Sequence, residues 1–138
     1  MKVNNTPKVN NELRQSVFEI DSWIRLIEFL NQEIHHLQNR LTEITDSIHN
    51  SNHIDLIEHF NNMFIIKMDV LSHVLFELKK QKNKWNSLNH SSDPINKRDL
   101  RRIQKNLREQ VEFIGKEQQV IQKDFYTFIN SIVLQRSV

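Results

Sequence analysis

The sequence predicts an all-α fold, an up-down-up antiparallel bundle of three long, coiled-coil-like helices of about forty residues each. Three observations predict it. The 138 residues include one Gly and two Pro, so the usual devices for tight hairpins, bulges and phosphate-cradling loops are missing. Apolar residues recur at spacings of seven in three successive series. Two short polar stretches separate those series, and short connections force neighbouring helices to run antiparallel. The length fits one domain, and 38% hydrophobic against 26% charged residues is enough to build a core.

After a polar Asn/Lys/Pro segment (1–8), expected to be a flexible tail, the first helix is expected over about 9–49. One register reads Leu13, Ile20, Ile27, Ile34, Leu41, Ile48, and the second Ser16, Trp23, Leu30, Leu37, Ile44. Ten of these eleven seam positions are apolar, which describes a helix packing along one stripe. Forty residues at about 1.5 Å each give a length of roughly 60 Å. The pattern breaks at His49-Asn50-Ser51-Asn52-His53, where Asn and Ser can cap a new helix and Asp55 follows in its first turn.

The second helix, about 53–88, carries Ile57, Phe64, Leu71, Leu78 and Trp85 at spacing seven, with Phe60, Val74 and Leu88 beside them. Polar residues 86–93 end it. Ser92-Asp93-Pro94 then offers a cap followed by proline at the first helical position. The third helix, about 94–135, reads Leu100, Leu107, Ile114, Ile121, Phe128, accompanied by Ile103, Val111, Phe125 and Ile132. Periods near 3.5 favour shallow left-handed crossings. In outline this is similar to spectrin-type three-helix bundles, a likeness of architecture that rests on the three apolar series.

Composition excludes several chemistries. With no Cys, disulfides, thiolate zinc sites and a cysteine nucleophile are absent. Glu12, Glu19, Asp21 and Glu28 interrupt every early apolar run, so no signal peptide is expected. No window reaches eighteen uncharged apolar residues, so neither membrane insertion nor a spanning helix is expected, and the expected location is the cytoplasm.

Histidines invite a metal reading, because Glu33…His36 has the Glu-x-x-His spacing of di-iron helical bundles. Ile34 and Leu37 own the seam, however, which turns His36 outward and leaves Glu33 at its edge. Asp46…His49 lies near a helix end, and His73, paired in sequence with Asp69, falls outside its helix's apolar stripe. No metal and no cofactor are expected. No serine sits in an elbow-like setting and no Gly-rich turn supplies an oxyanion hole. The chain reads as a non-enzyme.

Two surfaces are left as candidates. The first is apolar surplus. Met63, Ile65, Ile66, Met68 and Val70 spread hydrophobicity nearly all round the start of the second helix. Phe125, Tyr126, Phe128, Ile129, Ile132, Val133 and Leu134 do the same near the end of the third. A lone bundle does not need such helices on faces pointing away from its core. The expected protein interface is Met63, Ile65, Ile66, Tyr126, Ile129 and Val133, with Phe18 and Phe29 eleven apart on the first helix. The expected partner is a second copy, as a homodimer, or another protein.

The second surface is basic. The formal net charge is only +2, but residues 79–108 hold Lys79, Lys80, Lys82, Lys84, Lys97, Arg98, Arg101, Arg102, Lys105 and Arg108 against Asp93 and Asp99. An antiparallel turn gathers these cations, and nucleic acid or another polyanion is the alternative partner. The competing expectation is a solvated face neutralised by Glu12, Glu19 and Asp21 of the first helix.

Overall fold

The computed structural model describes residues 6–47, 53–88 and 94–136. These form three helices with no strand among them: α1 (Thr6–Ser47), α2 (Ile54–Ser87) and α3 (Pro94–Arg136). The all-α three-helix bundle predicted by the heptads is the fold. Helix α1 starts at Thr6, inside the segment expected to be a tail, because Pro7 falls in the first turn, where backbone N–H groups have no helical partner. Helix α2, 34 residues long, lies within one residue at each end of the expected 53–88. Asp55 in its first turn and Lys84 in its last both complement the helix dipole. The expected caps at 49–52 and 92–93 lie outside the described residues.

Pairings across the helices give their directions. Residues of α1 meet residues of α3 at an offset of 85 to 89, as in Glu19 with Gln104 and with Arg108, so these helices run parallel. Helix α2 runs antiparallel to α3, since Trp85 bonds to Gln104 whereas Phe60 meets Phe125 and Phe128. The direction is up-down-up.

The chain divides into two compact units, each taking a share of every helix. The first is Met1–Glu28 with Ser72–Val111, and the second is Phe29–Leu71 with Glu112–Val138. In the first unit Ile20, Ile27, Val74, Leu78, Trp85, Leu100, Leu107 and Val111 are buried. Leu13, Ser16 and Trp23 from the predicted seam are only half-buried. Polar Gln81 and Gln104 are buried among the apolar residues, and they hold a hydrogen-bond network described below.

The second unit buries Leu30, Ile34, Leu37, Leu41, Phe60, Phe64 and Leu71 with Ile114, Ile121, Phe125, Phe128, Ile129 and Ile132. Four phenylalanines knit it together. Phe60 stacks on Phe128 at 5.2 Å and meets Phe125 edge-on at 5.4 Å, while Phe64 meets Phe125 edge-on at 5.3 Å. Edge-on and offset ring pairs at these separations add about 0.5–1.5 kcal/mol each to simple burial. One polar side chain, Gln118, is buried here, its Nε2 donating to the Leu30 carbonyl at 3.0 Å. Lys67 also sits on the α2 seam, ion-paired with Glu117, and burial pulls its pKa below the ordinary lysine value.

Candidate functional site

The basic segment falls wholly within the first unit, and much of its charge is already matched. Arg101 grips Glu12 with two donors at 2.5 and 3.0 Å, and Arg108 grips Glu19 at 3.0 and 2.7 Å. Lys82 reaches Asp21 at 2.8 Å, and Arg102 lies 3.5 Å from Asp99. Glu12, Glu19 and Asp21 of α1 are the neutralising groups the sequence suggested, whereas Asp99 belongs to α3 itself. Arg101's hydrogen bonds hold the Glu12 carboxyl below its usual pKa against a smaller effect of burial. Burial acts to raise Glu19, but hydrogen bonds from Arg108 and Gln104 outweigh it and leave that pKa lowered too. Arg108 also lies 5.8 Å over the Trp23 ring, within cation–π range.

Beneath the ion pairs runs a chain of buried donors. Gln104 donates through Nε2 to the Ser16 carbonyl and to Glu19, and its Oε1 accepts from both Trp85 Nε1 and Gln81 Nε2. Gln81 Nε2 also donates to the Leu100 carbonyl at 2.8 Å. The network ties α1, α2 and α3 together within this unit. Of the segment's other cations, Lys79, Lys80, Lys84, Arg98 and Lys105 are exposed. A shallow cavity of about 260 Å³ between Lys84, Asp99, Leu100, Arg102 and Ile103 is smaller than ordinary ligand pockets, and Asp99 offsets its cations.

The second unit carries the opposite surface. Ile54, Leu56, Ile65, Ile66, Phe29, Phe113, Val120, Tyr126, Val133 and Leu134 are all exposed there, against Phe18, Leu26 and Phe76 in the first unit. Of the expected interface residues, Ile66 is 59% exposed, and Ile65, Tyr126, Val133, Phe29 and Phe18 are also exposed. Met63 is half-buried. Ile129 is a correction: it is 4% exposed and belongs to the core, because α3 widens its buried stripe where it also buries Phe128 and Ile132. Phe18 and Phe29 fall in different units.

Sequence reasoning passed over Phe113 and Val120, which are 65% and 58% exposed. A signal was present. Residues 113, 120, 127 and 134 form a heptad row one position off the seam row of Ile114, Ile121 and Phe128. The register of α2 against α3 places this row beside the outer side of α2. Lys67 pairs with Glu117 and Phe64 meets Phe125, so Ile66 lies level with Val120. Met63, Ile66 and Val70 of α2 and Phe113 and Val120 of α3 thus share one side of these two helices, an apolar stripe with the Lys67–Glu117 pair within it.

Among the described residues no group of three His, Asp or Glu side chains could hold a metal ion. His36, His73 and Asp69 are exposed, and Glu33 is half-buried; His49 lies outside the described residues. No described helix is long and apolar enough to cross a membrane. The fold and its surfaces define a three-helix bundle with one polar-networked unit and one aromatic-cored, apolar-faced unit. Comparison with protein-family models, curated proteins and solved structures gives no match.

Proposed function

We propose that the protein is a non-catalytic interaction module, an adaptor or scaffold that binds a protein partner through the exposed apolar surface of its second unit. One observation carries this reading: the exposed large apolar side chains concentrate on that unit, over a core already filled by phenylalanines. Apolar stripes left wet on a folded domain mark interaction sites. Fully burying one Ile or Phe contributes roughly 1.5–3 kcal/mol, so a few suffice for an interface. Met63 adds a side chain that adapts to irregular partners.

The polyanion reading is the alternative, and exposed Lys79, Lys80, Lys84, Arg98 and Lys105 favour it. It is the weaker one, because Arg101, Arg102, Arg108 and Lys82 have carboxylate neighbours inside their own unit. A photo-crosslinking residue placed in cells at position 66, and separately at position 105, decides between them. The interaction reading expects a protein adduct from position 66 and none from 105. Nucleic-acid adducts from 105, with position 66 silent, would overturn it.

A further inference from the structure

The apolar stripe is flanked by charge of opposite sign on its two sides. On α2 the outermost heptad row reads Asp55, Asn62, Asp69, and on α3 it reads Lys116, Lys123, Asn130; all six side chains are exposed. The register set by Lys67 with Glu117 puts Asp69 level with Lys116, across the stripe from it. Exposed His59 lies beside the stripe on α2, and exposed Asp124 lies level with Met63 on α3. The result is an apolar stripe crossed by the Lys67–Glu117 pair, with an acidic row on α2 and a basic row on α3.

We infer that this stripe is the docking face for a second copy of the chain, laid on with its two-fold axis parallel to the helices. That operation sets α2 of one copy against α3 of the other, so Asp69 of each meets Lys116 of its partner twice over. Turning the axis across the helices would set α2 on α2 and α3 on α3, bringing the acidic row onto itself and the basic row onto itself, which like charges disfavour. The complementarity therefore selects both the occupant and its orientation. Along Met63–Val70 and the facing Phe113–Val120 the stripe runs roughly 15 Å, and two helix widths make it about 20 Å across. That is on the order of 300 Å² per copy, the size of a weak contact, so the orientation rests on the charge pairs at its edges.

The inference rests on the reading of the second unit as an interaction surface, and one experiment separates their failures. Sedimentation equilibrium is run on the whole chain, on Asp69→Lys and Lys116→Asp alone, and on an equal mixture of the two variants, with circular dichroism confirming the fold. The wild type is expected to dimerise, each variant alone to associate about tenfold more weakly or less, and the mixture to recover wild-type association. Recovery is specific, because every cross-copy pair in the mixed dimer is again Asp with Lys. A wild type that stays monomeric at all concentrations overturns the dimer, and a position-66 adduct to a different protein would still uphold the interaction reading. A wild-type dimer whose variants are unaffected, or whose mixture is not restored, overturns the geometry.

Discussion

The two units use the same three helices and nearly the same heptad spacing, yet they are held together differently. In the first, buried Gln81 and Gln104 join Trp85 to carbonyls and carboxylates of neighbouring helices, with arginine–carboxylate pairs closing the surface. In the second, Phe60, Phe64, Phe125 and Phe128 fill the interior and apolar side chains continue outside. Directional polar contacts fix which residues face which, whereas ring packing supplies more burial and less register. One periodic pattern thus encodes a unit closed by a polar network and ion pairs and a unit that carries most of the exposed large apolar side chains.

Breaking the aromatic unit gives the largest expected effect. Phe64→Ala should cost about 3–5 kcal/mol, read as a lower denaturant midpoint. For the same reason a double change of Phe64 and Ile129 to Ser reports on stability, since both residues are core. The cleaner surface variant is Ile66→Asp, which should leave the unfolding midpoint nearly unchanged while removing self-association.

The polar network comes next. Gln104→Leu leaves Trp85 Nε1 without its acceptor and one Gln81 hydrogen bond unmade, at about 1–3 kcal/mol. Gln118→Leu in the other unit should be close to neutral, because its Oε1 is buried with no hydrogen-bond partner and its loss removes that burden. Urea titrations of the two variants side by side test the contrast. Equal costs would mean that the network adds nothing special to the first unit.

Gly115 gives a smaller, stabilising effect. A Cβ there meets nothing within 4 Å, so Gly115→Ala should raise stability by about 0.5–1 kcal/mol through helix propensity alone. A lower melting temperature would show that close packing, not chain freedom, keeps glycine there.

Acid is the gentlest probe. Glu12 and Glu19 have folded-state pKa values below the ordinary 4.5, so the stability they contribute is complete above about pH 4.5. It is lost as pH falls through the lowered folded values. Both pairs are partly solvated, which keeps each contribution under about 1 kcal/mol and sensitive to salt. A Glu12→Gln/Glu19→Gln protein should therefore show a flatter stability profile between neutral and acid pH than the wild type. Parallel profiles would remove these pairs from the account.

Most of the fold was legible because a heptad stripe dictates both helix and buried face. Ile20, Ile27, Ile34, Leu71, Leu78, Leu107 and Ile121 all lie where the spacing put them. Helix ends were less legible, since Pro7 in a first turn costs almost nothing and Thr6 could begin α1. Ile129 was misplaced because position counting gives a stripe of fixed width, whereas α3 also buries the neighbours of Phe128. Phe113 and Val120 escaped notice because each stands beside a seam residue and reads as part of it. The matching of Arg101 and Arg108 to Glu12 and Glu19 was visible as opposite charge, but pairing by residue required the α1–α3 register.

The central claim is that the second unit's apolar stripe, not the first unit's basic segment, is covered when the protein works. Carbene footprinting tests it directly by labelling the chain in cells and again after purification at high dilution. The account predicts that Ile66, Phe113 and Val120 are protected in cells and label freely when dilute, with Arg98–Lys105 labelling equally in both. Equal labelling of the stripe in both settings, or protection confined to Arg98–Lys105, would contradict it.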